Sequence, residues 1–111
     1  MLIEHSKIKL RLGSLNFTWD DNKAELNERK HEIAFSAAAC VFADTEAVVE
    51  FDSLDAKTDE ERFHIIGMAL QGLVFVVYVE RVTVEGEDVL RIISARRAVK
   101  KEVNKYVYGI A

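Results

Sequence analysis

The chain has 111 residues, a net charge of −4 and a single cysteine, and half of its residues are hydrophobic. Length and composition predict one soluble globular domain over 1–111, and no apolar run reaches the roughly 18 residues a membrane helix needs. Lys7, Lys9 and Arg11 interrupt any signal-peptide core, one cysteine forms no internal disulfide, and a reducing cytoplasm is the expected location.

Residues 7–12, K-I-K-L-R-L, alternate: Ile8, Leu10 and Leu12 share one face, and Lys7, Lys9 and Arg11 the other. This predicts a short strand that Gly13-Ser14 turns into a second strand, Leu15 to Trp19. The first strand belongs at a sheet edge, where it pairs with Leu15–Trp19 or with a second copy of the chain. Asp20 or Asp21 caps a helix to about His31. Only Ala24 and Leu26 give that helix an apolar face, while Lys23, Asn27, Lys30 and His31 line a polar one. Ser36 reads as the cap of a second helix, 37–43, with Phe35 stapled onto Cys40 as core.

Ala47 to Phe51 is the next strand, and Asp52 to Glu61 an acidic loop. Residues 62–69 alternate, with Phe63 and Ile65 opposed to Arg62, His64 and Ile66. Leu73 to Val79 is apolar on both faces, the mark of a central strand. Gln71-Gly72 and Glu85 to Asp88 are hairpin turns, so 62–69, 73–81 and 89–95 are expected as neighbours. In the last strand Leu90, Ile92 and Ser94 point one way, Arg91 and Ile93 the other. From Ala98 the period becomes helical, with Val99, Val103, Tyr106 and Val107 on one face. The predicted architecture is α+β: an antiparallel sheet, two N-terminal helices and one C-terminal helix, the helices mostly on one face.

Charge is polarised. Asp44 to Glu61 holds eight acids and one Lys, whereas Arg91 to Lys105 holds six Lys/Arg and one Glu. The second stretch spans the strand-to-helix corner Ser94-Ala95-Arg96-Arg97. It reads either as solvated surface or as a phosphate site. The three histidines have no metal-ligand spacing, and no phosphate loop or nucleophile elbow is present. Any enzymatic chemistry falls to Arg, Lys, Glu or Tyr. Guanidinium forks suit phosphate oxygens, which they meet bidentately and with a charge held at any pH.

Several pieces in order resemble the BrnT toxins. They are Phe17-x-Trp19-Asp20-x-x-Lys23, Asn27-x-x-Lys30-His31, Phe35-x-x-Ala38, Val41-Phe42-x-Asp44, Glu61-Arg62 and Ile66-Gly67. Val76-Val77-Tyr78-x-Glu80-Arg81, Arg91-Ile92-Ile93-Ser94-Ala95-Arg96, Glu102 and Tyr106 continue the likeness. The resemblance implies a RelE-like fold and a type II toxin: a ribonuclease that needs no metal or cofactor and inhibits translation. It implies a BrnA-like antitoxin as partner, RNA as substrate, and operator DNA reached only through the antitoxin. Glu61, Arg62, Arg81 and Arg96 are the catalytic candidates, with Glu61 as base. Lys23, His31, Arg91, Arg97, Lys100 and Tyr106 are the candidates for RNA or phosphate binding, with Tyr106 equally placed for core packing. The chain departs from the pattern at Glu32, where the family's usual residue is glycine, in residues 1–14, which precede the likeness, and in its acidity. A non-catalytic toxin-fold subunit that represses with its antitoxin, or a plain RNA-binding domain, would also use these residues.

Overall fold

In the computed structural model, residues 1–109 are described. They form β1 (Leu2–Glu4), β2 (Leu10–Leu12), β3 (Leu15–Thr18), α1 (Asp21–His31), α2 (Phe35–Ala38), β4 (Val48–Leu54), β5 (Glu61–Ala69), β6 (Gly72–Thr83), β7 (Asp88–Arg97) and α3 (Lys100–Tyr108). The sheet runs β2-β3-β7-β6-β5-β4. The three expected neighbours β5, β6 and β7 are antiparallel hairpins. The sheet as a whole is mixed, because β3 runs parallel to β7 and β1 parallel to β6. Between β3 and β7 the chain passes through α1, α2 and the three antiparallel strands β4, β5 and β6 before it returns beside β3. No periodicity marked the three-residue β1 as a strand.

Strand register divides the side chains between two faces. Phe17, Ile65, Val74, Val76, Tyr78, Ile92 and Ala95 are buried in one cluster with Ile33, Phe35, Ala38 and Val41. Burying a side chain of this kind contributes roughly 1.5–3 kcal/mol. Phe42 stands edge-on to both Phe17 and Tyr78, with centroids 5.2 and 4.9 Å apart. Gly67 lets this layer close: a Cβ there would lie 2.9 Å from the Val41 Cβ.

The predicted pair of N-terminal helices is one helix followed by a short one. Asp20 caps α1, accepting the Lys23 amide at 2.9 Å, as the sequence suggested. The helix ends at Glu32, which takes the left-handed conformation (φ 58°). Glutamate thus adopts a backbone that glycine holds without the penalty of a Cβ. α2 starts at Phe35, not after Ser36, and passes directly into a 3-10 turn, Ala39–Ala43. Phe35 is buried near Trp19, whereas Cys40 is exposed and donates to the Ser36 carbonyl. The staple fails because Cys40 lies on the outer side of the turn.

α1 also turns the other way from expectation. Leu26 is 61% exposed and Asn27 is buried. The Asn27 amide donates to the Ala95 carbonyl at 2.8 Å and accepts the Ala95 amide at 3.1 Å. It replaces a strand partner where β7 runs past the end of β3, and satisfies both backbone groups.

Helix α3 packs on the opposite sheet face through Glu102, Lys105 and Tyr106. The helices therefore occupy both faces. Between Val77/Ser94 and Tyr78/Ile92 the β6–β7 register slips, leaving Ile93 without a partner. This bulge corrects the simple alternation of β7. Leu90, Ile92 and Ala95 share the core face; Arg91, Ser94 and Arg96 share the other.

Candidate functional site

The face beneath α3 carries two charged clusters. Glu50 pairs across the sheet with His64, His64 with Val77, and Phe75 with Arg96, so these side chains lie on one surface. His64 bridges two carboxylates: Nδ1 lies 2.9 Å from an Asp52 oxygen and Nε2 2.9 Å from Glu50 Oε1. Both bonds are complete only with a hydrogen on each ring nitrogen. The His64 ring stacks on Phe75 with centroids 4.6 Å apart, and the Arg96 guanidinium lies 4.2 Å from the Phe75 centroid. Phe75 thus makes an apolar floor that orders a cation and an imidazole together.

α3 closes one side of this cluster. Arg96 donates from both terminal nitrogens to Glu102 at 2.8 Å, and Glu102 also accepts the Val99 amide at 2.9 Å. The Glu102 bonds hold the Arg96 guanidinium above its ordinary pKa. Burial raises the Glu102 carboxyl, but the bonds from Arg96 and Val99 outweigh it and leave its pKa lowered. Lys105 donates to Glu50 at 2.8 Å, and that bond, then the one to His64, lowers the Glu50 pKa. The Arg96 side chain remains 35% exposed. Arg62, on the same face of β5, donates to Asp55 at 2.7 Å.

The second cluster, toward the N-terminal strand, is closed. Arg81 meets Glu60 through two nitrogens, at 3.0 and 2.9 Å, and Glu4 through a third at 2.9 Å. Arg91 and Thr18 also donate to Glu4, whose side chain is 2% exposed. Burial raises the Glu4 carboxyl, but its three donors more than offset this and its pKa is lowered. Every terminal guanidinium nitrogen of Arg81 is engaged, so this arginine ties β1 and the loop before β5 onto β6.

The sequence candidates therefore separate. Arg96 belongs to the open cluster and Arg81 and Arg91 to the closed one; Arg62 lies on the same sheet face, two residues from His64, and is tied to Asp55. Glu61 alternates with Phe63 and so faces away from His64; it lines a shallow hollow of about 330 Å³ with Met1 and Leu2. It does not share a surface with Arg96. Arg97 pairs with Val74 on the core side and donates outward to the Gln71 carbonyl at 2.6 Å. Lys100 is exposed in the first turn of α3. Lys23 and His31 line a cleft of about 280 Å³ with Leu26, Lys30, Ile93 and Ser94, beside the unpaired stretch of β7. Tyr106 donates to Asp44 at 2.7 Å and is a latch for α3.

His64, Glu50, Asp52, Glu102 and Lys105 were missed as site residues. The alternation of 62–69 already put His64 beside Arg62. Nothing local showed that β4 would set Glu50 and Asp52 on either side of it.

The chain is a small α+β domain whose mixed sheet carries imidazole, carboxylate and guanidinium groups on the face beneath α3. The sequence comparison names its kind. The model of the family described as ribonuclease toxin, BrnT, of type II toxin-antitoxin systems matches residues 19–102, and the chain belongs to that family. No curated protein matches the chain. Glu50, Asp52, His64, Phe75, Arg96 and Glu102 all fall inside the matched span, and Glu4 falls outside it.

Proposed function

We propose that this toxin is a metal-independent endoribonuclease whose active surface is the open cluster around Arg96 and His64. The carrying observation is that the cluster places guanidinium, imidazole and carboxylates on one partly exposed surface of a ribonuclease-family chain. Donors fixed before reaction stabilise the charge that develops on phosphorus. A BrnA-like antitoxin would neutralise the toxin by covering this surface, carry the complex to operator DNA, and leave translation running in the cytoplasm. The fold would be RelE-like. A second copy of the chain would pair along β2, which ends the sheet.

One observation favours the alternative, a non-catalytic subunit: Arg62, Arg81, Arg91 and Arg96 are each tied to a carboxylate of the chain itself. Cleavage decides between them. Purified toxin incubated with bulk RNA in EDTA should cut it, and adding the antitoxin should stop the reaction. Intact RNA under these conditions, with toxicity retained in cells, would favour the subunit. Cleavage that EDTA abolishes would overturn the metal-free mechanism.

A further inference from the structure

We infer that His64 donates the proton and Glu50 accepts it when this toxin cuts an RNA phosphodiester held by Arg96. The inference rests on the ribonuclease reading above and assigns the proton transfers within it.

The geometry supplies each part. Asp52 holds Nδ1 and keeps a hydrogen there, so Nε2 is the nitrogen with a proton to deliver. Glu50 reaches Nε2 through Oε1, which Lys105 also contacts, so its other oxygen is uncommitted to either. Arg96 uses its two terminal nitrogens on Glu102. Its Nε–H and the second Nη2 hydrogen form the other fork of the guanidinium, which fits a phosphate. His64 also sits among charges from every neighbouring element: Glu50 and Asp52 on β4, Arg62 on β5, Arg96 on β7, Glu102 and Lys105 on α3. The three reacting groups are each partly exposed, with side-chain values of 13% for His64, 37% for Glu50 and 35% for Arg96.

The step balances. The ribose 2′-oxygen bonds to phosphorus while its proton passes to Glu50. The bond from phosphorus to the 5′-oxygen breaks, and that oxygen takes the Nε2 proton. The products are a 2′,3′-cyclic phosphate and a 5′-hydroxyl. Glu50 then returns its proton to Nε2 across the 2.9 Å contact, which restores the starting charges. The substrate must carry a 2′-hydroxyl, so DNA is not cut.

The test uses a leaving group that needs no proton. A wild-type cleavage site is mapped in an RNA oligonucleotide, which is then resynthesised with sulfur replacing the bridging 5′-oxygen at that site. On ordinary RNA, His64→Gln should cut about 10²–10⁴-fold more slowly than wild type, the range of general acid catalysis. On the sulfur substrate it should come within roughly tenfold of wild type, because a thiolate leaves unprotonated. Glu50→Gln should be slow on both. Asp52→Asn, which leaves the ring in place, should show the same selective rescue as His64→Gln, more weakly. Thermal melts establish that each variant is folded. Equal slowness of His64→Gln on both substrates would make His64 merely structural and overturn the inference, as would a wild-type rate on ordinary RNA. Either result leaves the ribonuclease reading standing. A wild type that cuts no RNA would overturn both.

Discussion

The two charged clusters on one sheet face are built from the same parts and differ in what they leave open. Around Glu4, two arginines and a threonine converge on one carboxylate that solvent barely reaches. Around His64, the carboxylates and cations alternate, an imidazole sits among them, and the arginine stays about one-third exposed. Burying a charge is tolerated only when partners compensate it fully. The closed cluster meets that condition: Glu4 is almost wholly shielded and each guanidinium nitrogen of Arg81 is engaged. The open cluster meets it partly, and retains a guanidinium fork and an imidazole between two carboxylates. Charge density alone does not separate the two clusters; how far solvent reaches their charged groups does.

The largest expected effect falls on the closed cluster and concerns stability. Glu4→Ala strands Arg91 and the Glu4-facing nitrogen of Arg81 in a half-buried site. Breaking such a pair costs about 3–5 kcal/mol. Urea denaturation should show that loss, and the cleavage rate per folded molecule should hold. A loss of cleavage with stability unchanged would reverse the assignment of the two clusters.

Next in size is Arg96→Ala in the open cluster. Removing one preorganised donor from a developing charge costs about 10²–10³ in rate. The fall should appear in kcat more than in RNA affinity. Arg62→Ala should act in the same direction. A melting temperature that collapses in Arg96→Ala would mean that the Glu102 pair is chiefly architectural.

Acid should separate the clusters more gently. Glu4, Glu50 and Glu102 all have lowered pKa values in the fold. Their contribution to stability is present above the unfolded value of 4.5 and is lost as pH falls through the folded values. Stability should therefore decline below about pH 4.5. Glu4→Gln should flatten that decline. A decline as steep as in the wild type would place the acid sensitivity in the open cluster instead.

Much of this division was hidden in the sequence for identifiable reasons. Hairpin turns and the doubly apolar run 73–79 made β5, β6 and β7 legible. The family pieces pointed to Arg62 and Arg96; Arg96 reached the open cluster, and Arg62 the same sheet face, tied to Asp55. Arg81 and Arg91 have the same residue type and similar strand positions. What distinguishes them is Glu4, contributed by a three-residue strand 77 positions before Arg81. The Ile93 bulge hid a second relation, since strict alternation would put Arg91 and Arg96 on opposite faces. Glu61 was favoured by its place beside Arg62, but adjacent strand residues face opposite ways. Glu50 entered the site through cross-strand register, which local sequence does not express.

The smallest expected effect tests whether position or charge matters at the cationic corner. Arg97 and Lys100 carry the same positive charge as Arg96 and lie within four residues of it, but neither joins the Phe75 floor. Arg97 points from the core-side register to the Gln71 carbonyl, and Lys100 is exposed in the first turn of α3. Neutralising both as Arg97→Gln and Lys100→Gln should leave kcat within about twofold of wild type, the scale of a surface change. RNA affinity should weaken slightly at low salt. If both residues touch phosphates, the salt dependence of binding should fall by about 0.7 per lost contact for a single strand. Melts and kinetics at two salt concentrations are sufficient to check this. A fall in kcat as large as that of Arg96→Ala would move the reacting phosphate from the sheet face to the start of α3. The open cluster would then be a docking surface beside the site, and the distinction from the closed one would be of exposure alone.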